Sequence, residues 1–217
     1  MKKLKKIIAL DIDGVLISNM FLDFLKGGEN SLWLGKRQWL KKALLRIFEI
    51  IEFCLLRLFK KRHQLNSGLV SFLNDMKAHN ENLCFFIITD RSAFGLKNVW
   101  PEISELNLDK NDFIQMRGDK KTSAQKKKLA NFLKTDTEIL FSLSVKPHKR
   151  TILTLVLVTS RLKPKEVWLV ENDKNFQRVG KAAFPNVCFK TFPGDIIFGN
   201  ADVDIFTSLF QRALWRN

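Results

Sequence analysis

Two aspartates, Asp11 and Asp13, stand two residues apart in IIALDIDGV, after an apolar run and before Gly14. A turn accounts for Asp and Gly in such a place. Chemistry accounts for them equally well. Alternate positions along a strand point the same way, so two carboxylates at this spacing can face one substrate. The sharper reading is a paired-carboxylate active site at the end of a strand. Such chemistry needs partners. The chain offers Thr89 in LCFFIITD (83–90), Lys146 and Lys149 in SVKPHK (144–149), and Glu171, Asn172 and Asp173 after VWLV (167–170), with Asn175 close behind. A simple turn does not require a hydroxyl, a lysine and further acids at the ends of later strands.

These residues need elements to position them. Residues 6–11 form a continuous apolar run, the signature of a strand buried on both faces of a parallel sheet. Further strands are expected at 83–90, 112–116, 138–145, 166–170 and 187–192. Helices are expected at 66–80, with Leu69, Phe72, Leu73 and Met76 on one face, and at 92–106, 122–134 and 203–215. Residues 150–162 are rich in β-branched side chains, which favours a strand. Their place between two parallel strands asks for a crossover helix, and a helix is expected. Alternating strands and helices predict an α/β fold, a three-layer αβα Rossmann-like parallel sheet. In such sheets ligands bind beyond the carboxyl ends of the strands, where the candidate residues fall.

In order and spacing, DIDGV (11–15), FFIITD (85–90), SVKPHK (144–149) and VWLVENDKN (167–175) resemble the four motifs of the haloacid dehalogenase (HAD) superfamily, in its phosphatase branch. The resemblance covers residues 6–19 and 66–192. It implies a HAD-like core of residues 1–19 and 66–217, with 20–65 inserted as a small helical cap. It also implies a phosphomonoester hydrolase in which Asp11 forms an aspartyl-phosphate and Asp13 serves as general acid and base. Thr89 would bind a phosphoryl oxygen, and Lys146 or Lys149 would neutralise charge. The implied cofactor is Mg²⁺, held by Asp11, by the main-chain carbonyl of Asp13 and by the last motif. There Glu171 stands at the usual ligand place, Asn172 where many relatives carry a second acid, and Asp173 is a further candidate. Asp90 and Arg91 would line the site or cap the next helix.

Composition narrows the classes. With 46% apolar and 27% charged residues the 217-residue chain is a folded protein, not a disordered one. The net charge of +15 favours anionic partners: a phosphorylated small molecule, nucleic acid or an acidic membrane surface. No RNA-binding motif accompanies the charge, so nucleic acid is the weakest of the three. No run of about 18 apolar residues predicts a spanning helix. The opening MKKLKKIIAL imitates a secretory signal, but its apolar part stops at Asp11. Three scattered cysteines without metal-ligand spacing fit a reducing, cytoplasmic compartment. His63, His79 and His148 lack ligand spacing and are expected at the surface.

The segment 20–65 is strongly basic. Between Lys26 and Arg62, ten Lys and Arg face three Glu, a net of +7. LLRIFEIIEFCLLRLF (44–59) sets Arg46, Glu49, Glu52, Arg57 and then Lys60 along one side of a helix. Its wide apolar remainder is expected to pack on the core, with an oligomer contact or a membrane surface as alternatives. A second functional reading follows: a catalytically weak or inactive HAD-like adaptor that contacts nucleic acid or a membrane surface through this basic cap.

Overall fold

The computed structural model describes residues 6–18, 38–58, 63–80, 82–89, 91–117, 122–142, 162–171 and 188–193. In chain order these contain β1 (Lys6–Asp11), β2 (Ile17–Ser18), α1 (Gln38–Leu58), β3 (Gln64–Leu65), α2 (Ser67–Ala78), β4 (Leu83–Thr89), α3 (Ala93–Ile103), β5 (Phe113–Arg117), α4 (Ser123–Leu133), β6 (Glu138–Ser142), β7 (Glu166–Glu171) and β8 (Cys188–Pro193). Six strands pair in the order β6-β5-β4-β1-β7-β8, and every pair is parallel. The fold is thus α/β, a Rossmann-like parallel sheet flanked by helices.

The sheet grows outward from β1. On one side the chain runs through α2, α3 and α4 to reach β4, β5 and β6 in turn; β7 and β8 then build the other side. That change of direction beside β1 is the topological switch point where such sheets bind ligands. Ile7 to Leu10 are fully buried, as a strand covered on both faces requires. Ile8, Leu10 and Ile12 pack with Leu69 and Leu73 of α2, Leu96, Val99 and Ile103 of α3, and Trp168 and Val170 of β7.

α2, α3 and α4 are each started by a side chain that accepts an otherwise unpaired amide. Asn66 accepts from the Leu69 amide, and Ser92 from that of Gly95. Thr122 and Gln125 form a reciprocal capping box. Leu69, Leu73 and Met76 of α2 are buried and Phe72 packs beside them, as the periodicity predicts.

The amino ends of the strands are held by charge. Asp112, wholly buried, accepts from the main-chain amides of Phe85 and Asp109 at 2.7 Å and from Lys77. Lys6 pairs with Glu166 at 3.1 Å and lies 3.8 Å over the Trp168 ring.

The expected strands and helices lie within a few residues of those observed. Residues 64–65, expected as helix, instead form β3 and pair antiparallel with β2. Of the strand expected at 138–145, Glu138–Ser142 is observed and 143–145 lies outside the described residues. The helices expected at 150–162 and 203–215 fall outside the described residues, apart from Leu162 at the end of the first.

The larger correction concerns α1. Its apolar face was expected to pack on the core with its charges outward. Instead Glu49 and Glu52 are only 7% and 8% exposed, while Ile47 is 50% and Leu58 73% exposed. The reason is that Glu52 meets the Arg91 guanidinium and Glu49 accepts from the amide and hydroxyl of Ser92, the cap of α3, and a buried carboxylate with hydrogen-bond donors is stable.

Candidate active site

β1 delivers Asp11 at its last position, level with Ile88 of β4, and Leu10 is level with Val170 of β7. Thr89 is therefore one residue beyond the partner of Asp11, and Glu171 is the next residue of β7 after the partner of Leu10. Strand register alone sets Asp11, Thr89 and Glu171 at one edge of three adjacent strands. The Ile12 amide extends the ladder by donating to the Ile88 carbonyl at 3.2 Å.

The chain then turns sharply. Gly14 takes φ 80°, the left-handed region that side-chain-bearing residues avoid. Its amide donates to the Ile17 carbonyl at 2.8 Å, and the amides of Leu16 and Ile17 both donate to the Ile12 carbonyl at 3.0 Å. This knot fixes Asp13 over the end of the sheet. β2 follows at once, and β3 returns beside it with Ile17 level with Leu65. The segment containing α1 thus leaves and re-enters the fold next to Asp13.

Arg91 organises the polar groups. Its Nε and Nη2 donate to both Asp13 carboxylate oxygens at 2.7–3.1 Å. Its Nη1 and Nη2 donate to Glu52 of α1 at 2.7 and 3.2 Å. Burial by itself opposes the Arg91 charge, but Asp13 and Glu52 outweigh it and hold the guanidinium above its ordinary value. The Arg91 amide donates to Thr89 Oγ1 at 3.0 Å. That bond uses one acceptor of a hydroxyl that also carries a donor.

Glu49, one turn before Glu52, accepts from the Ser92 amide at 2.7 Å and from the Ser92 hydroxyl. A carboxylate at the start of α3 also meets the positive end of the helix dipole. Gly95 makes room for it: a Cβ there would stand 2.7 Å from Glu49 Cδ and Oε1. Phe53 closes the contact edge-on against Phe94, with ring centroids 5.6 Å apart.

His63, expected at the surface, has a side chain only 5% exposed, with Nδ1 3.7 Å from Glu52 Oε1. It is buried because β3 brings the chain back beside this cluster. Burial lowers its pKa, with Glu52 pulling partly the other way. His79 is exposed, as expected.

Of the site residues read from sequence, Asp11, Asp13, Thr89 and the backbone of Glu171 meet at this edge. Asp90, Lys146, Lys149, Asn172, Asp173, Asn175 and His148 lie outside the described residues. Arg91, left open between lining the site and capping a helix, binds Asp13, and Ser92 is the cap. Glu49, Glu52 and His63 were missed. The one available signal was a pair of acids, three residues apart, in an otherwise basic helix.

Among the described residues, no three His, Cys, Asp or Glu side chains gather as a metal site. The donors on offer at the edge are nonetheless all oxygens, the ligand type that a hard divalent cation takes. Comparison with protein-family models, curated proteins and solved structures finds no match to this chain.

Proposed function

We propose that the chain is a HAD-like phosphomonoester hydrolase working through an aspartyl-phosphate, with residues 20–65 as its cap and a phosphorylated small molecule as substrate. The observation that carries this reading is the convergence of Asp11, Asp13 and Thr89 at the switch point of a parallel sheet, beside Glu171. A turn explains Asp11 and Gly14 but not the hydroxyl on the neighbouring strand or the arginine that orients Asp13.

In this reading an Asp11 carboxylate oxygen attacks phosphorus, and the bond to the ester oxygen breaks. Asp13 hands a proton to that oxygen, then takes one from the water that releases phosphate. Thr89 donates its hydroxyl proton to a phosphoryl oxygen. Lys146 or Lys149 supplies positive charge against the phosphoryl group. Asp11, the Asp13 carbonyl and Glu171, with Asn172 after it, would hold Mg²⁺, which when bound neutralises charge between carboxylate and phosphate.

The second reading, an adaptor with weak or no catalysis, is favoured by one observation. Both Asp13 oxygens accept from Arg91, which also holds Glu52, so Asp13 belongs to a buried ion-pair network that stands without a substrate. A phosphate group arriving at Asp11 would have to compete for that guanidinium.

The two are separated by hydrolysis of p-nitrophenyl phosphate and a panel of phosphorylated metabolites, with and without Mg²⁺. The hydrolase reading expects metal-dependent turnover that Asp11→Asn abolishes with the circular dichroism spectrum unchanged. Turnover surviving in Asp11→Asn overturns the aspartyl-phosphate mechanism, and none in the wild-type chain with any substrate leaves the adaptor.

A further inference from the structure

We propose that the outward face of α1 docks on the surface of an anionic lipid bilayer. The helix is used on both sides. Glu49, Glu52 and Phe53 turn inward to Ser92, Arg91 and Phe94. On the opposite side Ile47, Ile50, Ile51 and Leu58 are exposed, together with Cys54. Their spacing makes one stripe over three helical turns. An apolar stripe this continuous, without polar interruption, marks an interaction surface and not ordinary surface scatter.

Charge selects the occupant. Glu49 and Glu52 are the only acids between Gln38 and Leu58, and both are buried against α3 and Arg91. Arg46 and Arg57 remain exposed beside the stripe. The outer side of this helix thus combines apolar side chains with cations, on a chain of net charge +15. That is the pattern of a helix lying in a bilayer interface: apolar residues enter the headgroup boundary and cations meet anionic lipid. A second copy is a poorer fit, because it would bring a like-charged rim and no acids to neutralise it. The helix lies on the bilayer and does not cross it: no described helix is long and apolar enough to span.

The proposal does not rest on catalysis, and its test reads binding alone. The full chain is floated with vesicles of phosphatidylcholine, and with vesicles of phosphatidylcholine mixed with phosphatidylglycerol. It should bind the mixed vesicles in low salt and leave them in 1 M salt, where screening shortens to about 3 Å. Ile47→Gln/Ile51→Gln/Leu58→Gln alters only exposed positions, so the fold should persist by circular dichroism. Its binding should fall about tenfold or more. Arg46→Glu/Arg57→Glu should erase the preference for phosphatidylglycerol. The proposal is overturned if the wild-type chain ignores the mixed vesicles in low salt, or if the triple variant binds them undiminished. It is also overturned if sedimentation equilibrium shows a dimer that the triple variant dissolves and that does not bind vesicles; the face is then an interface between copies.

Discussion

Arg91 satisfies carboxylates from two different elements, Asp13 after β1 and Glu52 on α1, inside a buried pocket. Its replacement by alanine leaves both acids without their guanidinium. A broken buried ion pair costs about 3–5 kcal/mol, so Arg91→Ala should lower the urea midpoint by the equivalent of that loss. Lysine keeps the charge but lacks the planar five-donor fork that meets both Asp13 oxygens and Glu52 together, so Arg91→Lys should recover part of the stability. If Arg91 positions Asp13 for proton transfer, Arg91→Lys should lower kcat while KM holds and should displace the pH profile of kcat. An adaptor would show only the stability change.

His63 supplies a pH dependence at the same scale. Burial holds its pKa below the ordinary 6.5. The unfolded chain therefore binds this proton more readily than the folded one. The stabilising contribution is fully present above pH 6.5 and is lost as pH falls through the folded value. Unfolding in urea should show wild-type protein losing more stability between pH 7.5 and 5.5 than His63→Phe does. An equal loss in both would mean that folding leaves the proton affinity of His63 unchanged.

At the scale of elements, the described contacts of α1 include the hydrogen bonds of Glu49 and Glu52 and the packing of Phe53 on Phe94. Glu49→Ala should release the Ser92 amide and cost about 1–3 kcal/mol in the docking of α1, seen as faster amide exchange at Ser92 and faster proteolysis within residues 38–58. Gly95→Ala offers an independent approach to the same contact. Alanine favours helix by about 0.5–1 kcal/mol, yet its Cβ would collide with the Glu49 carboxylate. The two changes should be non-additive: once Glu49 is removed, Gly95→Ala should no longer loosen α1. Additive effects would show that Gly95 is needed for some other contact.

Across the whole molecule, the Asp112 network and the candidate site sit at opposite ends of the sheet. Asp112 ties Lys77 and the amides of Phe85 and Asp109 at the amino ends of β4 and β5, far along the strands from Asp11. Asp112→Ala strands the Phe85 and Asp109 amides and leaves Lys77 to Asp109 alone of its two acids, and should cost about 3–5 kcal/mol. On the hydrolase reading, the protein that remains folded should keep its kcat/KM. Asp11→Asn should do the reverse. Loss of activity in Asp112→Ala beyond its unfolded fraction would couple the two ends.

The order of elements along the chain was legible in sequence because it follows from local pattern. Apolar runs such as IIAL and CFFII can only be strands covered on both faces, and Asn66, Ser92 and Thr122 mark helix starts through their own side chains. The placement of Asp11, Asp13 and Thr89 at strand ends was legible for the same reason. What α1 does with its two faces was decided by tertiary structure. Periodicity shows that one side is apolar, but which side turns inward depends on the partners that the rest of the fold presents. Here the start of α3 offers an amide and a hydroxyl to Glu49, and Arg91 offers its guanidinium to Glu52. Those partners lie some forty residues away in sequence, and only the parallel pairing of β1 with β4 brings them to the helix. The burial of His63 and the Arg91 bridge to Asp13 have the same origin, since charges distant along the chain become neighbours only when the sheet has formed.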